Sequence, residues 1–238
     1  MRAFLLRLNR FLETSLEGII GGLEIGEVSA LEAARVLGSM QAALIDLGLA
    51  DELGELQGIY ADELNYISQV FAASGIAGAL FSDVDETVIR ELVSFDTDQV
   101  FGMVSGYVDD VKATMMRAVL IGETPNFREM HDVTGSRLIS NLETEMTTAL
   151  QGFSRTVTQA KGKELGFELW EYIGPEDEIT REFCQDLLDK DPPIYSTSEI
   201  ERMDNGQGLP VASYGGGYNC RHQWRPISEE KAREAGWE

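Results

Sequence analysis

Apolar residues recur at three- and four-residue steps over most of residues 1 to 163. This spacing places side chains on one face of an α-helix. The runs, in chain order, are Leu5, Leu8, Leu12, Leu16 and Ile19; Leu37, Met40, Leu44 and Leu47; Tyr60, Leu64, Ile67 and Phe71; Val100, Val104, Val108, Val111, Met115 and Val119; and Leu138, Leu142, Met146, Leu150, Phe153 and Val157. We predict five or six helices, arranged as a bundle or an extended array.

Polar and small residues mark the ends of these helices. Two serine–acid pairs have the spacing of a capping box, in which a hydroxyl accepts from an amide of the first helical turn. They are Ser29 with Glu32, and Ser82 with Asp85. Expected stops are Gly21-Gly22, Gly75, and Gly122 with Pro125.

The pattern changes near Gly166, after which five of the six prolines, all three tryptophans and both cysteines occur. Phe167 to Ile173 alternates apolar and polar residues, which is typical of a half-buried strand. Ser196 with Glu199 predicts the start of a short helix, and Ser228 to Glu238 predicts another. Asn205-Gly206 and Gly215-Gly216-Gly217 predict turns or loops. The expected fold is therefore mainly α, with a multi-helix region over residues 1–163 and a small α+β domain over residues 164–238.

Charge excludes some classes of function. Nineteen Lys and Arg face 41 Asp and Glu, so the net charge is −22. Phosphate affinity depends on basic side chains that release counterions, so sequence-specific nucleic-acid binding is disfavoured. No apolar run is long enough to predict a membrane span. Arg7, Asn9 and Arg10 interrupt the first apolar run, which therefore predicts an amphipathic helix and not a signal peptide.

The chemistry-bearing residues are few, and Cys184, Cys220 and His222 stand out among them. Thiolate and imidazole are the donors that zinc prefers in tetrahedral sites. A fourth ligand has no clear signal, although Asp177 or a water is a candidate. The alternatives are a Cys184–Cys220 disulfide and two packed free thiols. No other cofactor is predicted.

An active site is not predicted. Cys220 as nucleophile with His222 as base lacks a third, orienting group. Gly215-Gly216-Gly217 lacks the lysine and the helix start of a phosphate-binding loop. We therefore expect a protein that is not an enzyme.

Arginine and tryptophan side chains suggest how the small domain is held together. Arg181, Arg221 and Arg225 each have the geometry to form a forked contact with a carboxylate, and ordinary surface salt bridges are the alternative. Trp170 and Trp224 are expected to anchor a compact core.

Several segments in a fixed order resemble one known family. They are Trp170 to Cys184, Tyr195 to Ile200, Asp204 to Pro210, and Gly215 to Pro226, preceded by a helix that carries Arg155-Thr156. Together they are similar to the C-terminal domain of phage Mu F-like head-morphogenesis proteins. The motif positions that carry this resemblance are Trp170, Asp177, Thr180, Arg181, Asn219, Arg221 and Trp224.

The resemblance implies a minor capsid protein of a tailed bacteriophage, present in few copies at or near the portal vertex. It implies a role in head assembly, and in DNA packaging or ejection. The implied partners are the portal protein and other capsid proteins, with self-association as a further expectation. The implied location is the virion, assembled in the host cytoplasm.

Residues 1–163 lie outside most of this match, and their expected role is portal docking or oligomerisation. Two alternatives stay open. One is an enzyme or toxin-like activity in the C-terminal domain. The other is a head–tail connector or scaffold that does not depend on that domain.

Overall fold

A computed structural model describes residues 1–21, 29–76, 83–122 and 127–237. The predicted fold class is confirmed, because a long helical region precedes a small domain with a three-stranded sheet. The helices are α1 (Arg2–Gly21), α2 (Ala30–Gly38), α3 (Met40–Asp46), α4 (Leu49–Gly54), α5 (Leu56–Ala73), α6 (Asp83–Ile121), α7 (Phe127–Glu164), α8 (Glu182–Leu188), α9 (Thr197–Ile200), α10 (Val211–Tyr214) and α11 (Glu229–Glu234). The strands are β1 (Leu169–Ile173), β2 (Ile194–Ser196) and β3 (Gln223–Ile227).

Packing divides the chain into two units. The first unit comprises Met1–Ile59 and Val93–Met146, and the second comprises Tyr60–Leu92 and Thr147–Glu238. This division crosses α7 between Met146 and Thr147, whereas the sequence predicted a boundary after residue 163.

The first unit has an apolar core supplied by one face of each of its helices. On α1 the buried side chains are Phe4, Leu5, Leu8, Leu12, Leu16 and Ile20. Ile19, which the sequence placed on this face, is only partly buried, because Ile20 completes the four-residue step from Leu16. Val104 and Leu142 contribute fully buried positions from α6 and α7.

The run from Leu37 to Leu47 forms two helices and not one. α2 ends at Gly38, α3 begins at Met40, and Leu47 is exposed. Gly48 then adopts a φ of 106°, a left-handed conformation that starts a separate short helix, α4. For this reason the described part of residues 1–164 contains seven helices, more than the sequence predicted.

Helix caps follow the sequence where the structure describes them. The Ser29 hydroxyl accepts from the Glu32 amide, as predicted for α2. Gly75 and Gly122 follow α5 and α6 with positive φ, as expected of helix stops. Ser82, Gly22 and Pro125 lie outside the described residues. None of the described helices is both long and apolar enough to cross a bilayer.

The sheet of the second unit has the order β2-β1-β3, and both pairings are antiparallel. β1 is the predicted strand, although it begins at Leu169 and not at Phe167. β2 and β3 were not predicted, because β2 has three residues and β3 contains Pro226, which disfavours a strand. Pro226 is tolerated because β3 pairs on one side only, with β1.

The α7 helix packs closely on the sheet. A Cβ atom at Gly162 would collide with the indole of Trp170, so glycine is required for this approach. The predicted capping box at Ser196 and Glu199 is present at the start of α9, and Ser228 caps α11.

Candidate metal centre

Two thiols and an imidazole meet inside the second unit. Cys184 lies on α8, Cys220 lies in the loop before β3, and His222 directly precedes β3. The two Sγ atoms are 3.9 Å apart, and Cys220 Sγ lies 3.7 Å from His222 Nδ1. Only 1%, 3% and 2% of Cys184, Cys220 and His222 is exposed. We call these three residues the Cys–His centre; both cysteines are free thiols.

One hydrogen bond determines the tautomer of His222. Its Nε2 atom lies 2.9 Å from the carbonyl oxygen of Pro175. A carbonyl can only accept, so Nε2 carries the proton and the lone pair is on Nδ1. The lone pair therefore faces the cysteines.

The hydroxyl of Tyr172 borders the same space. Tyr172 lies on β1, and its Oη atom is 3.4 Å from Cys184 Sγ and 3.7 Å from Cys220 Sγ. Its ring stacks on His222 with 5.2 Å between centroids. Burial raises the pKa of this hydroxyl above its ordinary range, so Tyr172 remains a neutral donor.

Arg155 supports the loop that carries the centre. Only 1% of this α7 residue is exposed. Its guanidinium donates to the carbonyl oxygens of Cys220 (2.6 Å), His222 (2.8 Å) and Ser213 (3.1 Å). Burial lowers the pKa of Arg155, against the opposing effect of Cys220.

Sequence reasoning assigned no contact to Arg155. The available signal is Gly162 on the same helix, which leaves room for the close approach of Trp170.

Three glycines lie in close contact with the side chains of the centre. A Cβ at Gly216 would collide with Cys184 Sγ, and one at Gly174 would collide with the His222 ring. At Gly215, whose φ is 54°, a Cβ would come within 2.9 Å of Cys220 Sγ. The predicted loop Gly215-Gly216-Gly217 thus allows backbone to contact sulfur, and the Gly216 amide donates to Cys220 Sγ at 3.2 Å.

The two thiols differ electrostatically. The hydrogen bond from Cys184, aided by Arg155 and by the backbone amide of His222, lowers the pKa of Cys220 against the effect of burial. The same contact with Cys220, together with burial, raises the pKa of Cys184. Cys220 is therefore the more acidic thiol of the two.

The predicted arginine contacts form in two cases of three. Arg221 donates a fork to Asp177, at 2.7 and 2.6 Å, and Arg225 pairs with Glu171. Arg181 instead donates to the carbonyl oxygens of Gly216 (3.3 Å) and Tyr218 (2.6 Å), because its nearest acceptors are in the glycine loop.

Asp177 does not join the Cys–His centre. Its carboxylate is exposed and accepts from Arg221, from the Ile179 amide and from the Thr180 hydroxyl. The Arg221 contact lowers the pKa of Asp177 to about 2. Among the described residues, the donors grouped closely enough to hold a metal are those of the Cys–His centre alone.

The remaining motif residues anchor the small domain. Trp170 and Trp224 are fully buried, and their indole N–H groups donate to Thr197 Oγ1 and to the Val211 carbonyl. Thr180 closes the turn at Asp177. Asn219 adopts a φ of 56°, and its amide donates to Thr148 Oγ1 on α7.

Comparisons of the chain with known protein families, with curated proteins and with solved structures found no match. Buried soft donors held by backbone and arginine can bind a metal ion, whereas a reaction would need them open to a substrate.

Proposed function

We propose that this chain is a structural minor head protein of a tailed bacteriophage, acting at or near the portal vertex, and that it is not an enzyme. One observation carries the proposal. Six of the seven motif residues direct their polar side-chain groups to partners inside the small domain; they are Trp170, Asp177, Thr180, Arg181, Arg221 and Trp224.

Arginine contacts illustrate this. Arg155 and Arg181 donate to loop carbonyls, and Arg221 is forked onto Asp177. Such contacts fix the conformation of long loops that have few backbone hydrogen bonds of their own. A domain held in this way is suited to present a rigid surface to a partner.

The reactive groups are closed to substrates. At most 3% of any residue of the Cys–His centre is exposed. A surface pocket of about 270 Å³ lies between Leu165–Leu169 and Ile227–Glu229, and none of its lining residues belongs to the centre. These features favour a structural role over nucleophilic catalysis.

The first unit supplies apolar surface for contacts with other head proteins. Leu47, which follows α3, and Leu120 and Ile121 at the end of α6 are each more than half exposed. A net charge of −22 disfavours phosphate as the partner of this surface. The preferred partners are therefore proteins, namely the portal protein, other capsid proteins or further copies of the chain.

Mass spectrometry of purified particles tests the proposal. We expect the chain in mature heads, in few copies, and in subassemblies that contain the portal protein. Its absence from particles made by cells that express it would overturn the proposal.

A truncated chain ending at residue 163 sharpens the test. The proposal expects loss of incorporation, whereas a scaffold that does not use the small domain would still assemble. An activity that Cys220→Ala and His222→Ala both abolish in folded protein would instead support the enzyme alternative.

A further inference from the structure

Four soft or polar donor atoms meet inside a small domain where apolar side chains would be expected. They are the Sγ atoms of Cys184 and Cys220, the Nδ1 atom of His222 and the Oη atom of Tyr172. Burying polar groups is unfavourable unless they have partners. The contacts that these four atoms make with one another are weak hydrogen bonds to sulfur, with lengths of 3.4 to 3.9 Å.

We propose that this cluster binds one zinc ion through Cys184 Sγ, Cys220 Sγ and His222 Nδ1, with Tyr172 Oη at the fourth position. The site is structural: it joins α8, the loop before β3, and β1. The proposal does not depend on a role in phage heads.

Distances between the donors support tetrahedral coordination. Zinc bonds of about 2.3 Å to sulfur and about 2.0–2.2 Å to nitrogen or oxygen place tetrahedral donors about 3.5–3.8 Å apart. The two sulfurs are 3.9 Å apart, and Cys220 lies 3.7 Å from His222 Nδ1. Tyr172 Oη lies 3.4 and 3.7 Å from the two sulfurs. Four of the six edges of the tetrahedron are thus close to the ideal separation.

The outer contacts of His222 are those of a metal ligand. Histidines that bind metal through one ring nitrogen usually donate from the other to a carbonyl or carboxylate. His222 donates from Nε2 to the Pro175 carbonyl, which leaves Nδ1 unprotonated and directed at the cysteines.

Charge also fits this metal. Two thiolates and a neutral imidazole balance the two positive charges of Zn²⁺, and the two thiol protons pass to solvent on binding. The buried centre would then be neutral. The Gly216 amide, which donates to Cys220 Sγ, and the Arg155 guanidinium, which binds the Cys220 carbonyl, both stabilise a thiolate at this position.

A metal would strengthen a domain of this size. Small domains bury little apolar surface and often need a staple. Cys184 and Cys220 are 36 positions apart, so a shared ion would close a long loop that contains the short elements β2, α9 and α10.

The first experiment measures metal in the purified full-length chain, kept reduced and handled without chelators. We expect one zinc per chain by elemental analysis. After removal of the zinc, Co²⁺ alone should restore a 1:1 complex. Its sulfur-to-cobalt charge-transfer absorption and intense visible bands would report tetrahedral thiolate ligation.

Matched variants assign the ligands. The chain has only two histidines, so His222→Gln should abolish the cobalt spectrum and His131→Gln should preserve it. Tyr172→Phe should weaken zinc binding about 10- to 100-fold. Tyr195→Phe, another buried tyrosine of the sheet, removes a hydroxyl bonded to the Leu187 carbonyl and should leave zinc binding unchanged.

Tryptophan fluorescence checks that each variant is folded before its metal binding is compared. If His222→Gln does not fold, the wild-type stoichiometry and cobalt spectrum still decide the matter. Reduced wild-type protein that takes up neither zinc nor cobalt would overturn the proposal. So would a Cys184–Cys220 disulfide in the purified protein, or zinc whose binding His222→Gln leaves intact in folded protein.

Discussion

The two packing units differ in the polar side chains that they bury. Described residues with buried polar or charged side chains are His131 in the first unit and Thr148, Ser154, Arg155, Thr158, Gln159, Lys161 and His222 in the second. The core of the first unit otherwise consists of apolar residues on helices. The core of the second combines aromatic residues with arginine, cysteine and histidine.

Backbone hydrogen bonding explains this difference. Helices satisfy their own amides and carbonyls, so helix faces can meet through apolar side chains alone. The segment from Asn205 to His222 contains one short helix, α10, and several of its other carbonyls accept from side chains and not from backbone amides. Arg155 and Arg181 donate to several of them. A loop-rich domain therefore needs specific polar residues to pair its backbone groups, whereas a helical domain needs only a periodic pattern of apolar residues.

The largest effect is expected from Arg155→Met. The substitution keeps the buried length of the side chain but leaves the carbonyls of Ser213, Cys220 and His222 without their donor. The free energy of unfolding of the second unit should fall by about 3–5 kcal/mol. Urea unfolding followed by tryptophan fluorescence measures this, because Trp170, Trp224 and Trp237 all lie in that unit.

Arg221→Met is the matched control, because its partner Asp177 is exposed. Its effect should be well below that of Arg155→Met. Equal effects would show that burial of the guanidinium does not set the stability of the loop.

An apolar truncation tests the first unit. Leu8→Ala removes a fully buried side chain of α1 and should destabilise this unit by about 2–5 kcal/mol. Leu6→Ala changes an exposed position of the same helix and should cost less than about 0.5 kcal/mol. Urea unfolding followed by far-ultraviolet circular dichroism compares the two. Similar losses would contradict the burial assigned to α1.

Replacing a glycine by alanine should lower the stability of the second unit at one position and raise that of the first unit at another. Gly216→Ala places a Cβ against Cys184 Sγ and should destabilise the second unit by about 1–3 kcal/mol. Gly106→Ala has open space at an exposed position of α6 and should stabilise the first unit by about 0.5–1 kcal/mol. Thermal unfolding of both variants tests the difference, and stabilisation by Gly216→Ala would argue against close contact between backbone and sulfur.

The smallest effect is a pH dependence at Asp177. Its folded pKa of about 2 is below its ordinary value of 3.8. The ion pair with Arg221 therefore stabilises the fold fully above about pH 4, and this contribution is lost as the pH falls toward about 2. Asp177→Asn should lower the urea midpoint near neutral pH, and its difference from wild type should vanish near pH 2. Exposed Glu178→Gln is the control and should follow wild type throughout.

Much of the helical region could be predicted because one physical rule governs it. Residues of the α6 run, such as Val104, Val108 and Met115, are buried as their periodicity indicates. The breaks between α2 and α3 and between α3 and α4 could not be predicted, since Ser39 and Gly48 interrupt the helices without changing the apolar spacing.

The sequence identified the important residues of the small domain, but it did not predict most of the contacts between them. Cys184, Cys220 and His222 were selected by residue type, and the structure brings them together. Their pairing with Tyr172 and Arg155 depends on the antiparallel β1–β3 register and on the approach of α7, both of which are non-local. Periodicity contains no information on such contacts.

The position of Arg155 has a consequence for how the protein is made. Its three carbonyl partners follow it by 58, 65 and 67 positions. A ribosome therefore releases α7 well before it releases the loop whose carbonyls accept hydrogen bonds from this guanidinium. Until residue 222 emerges, Arg155 has to stay hydrated, so the second unit completes its interior late in translation.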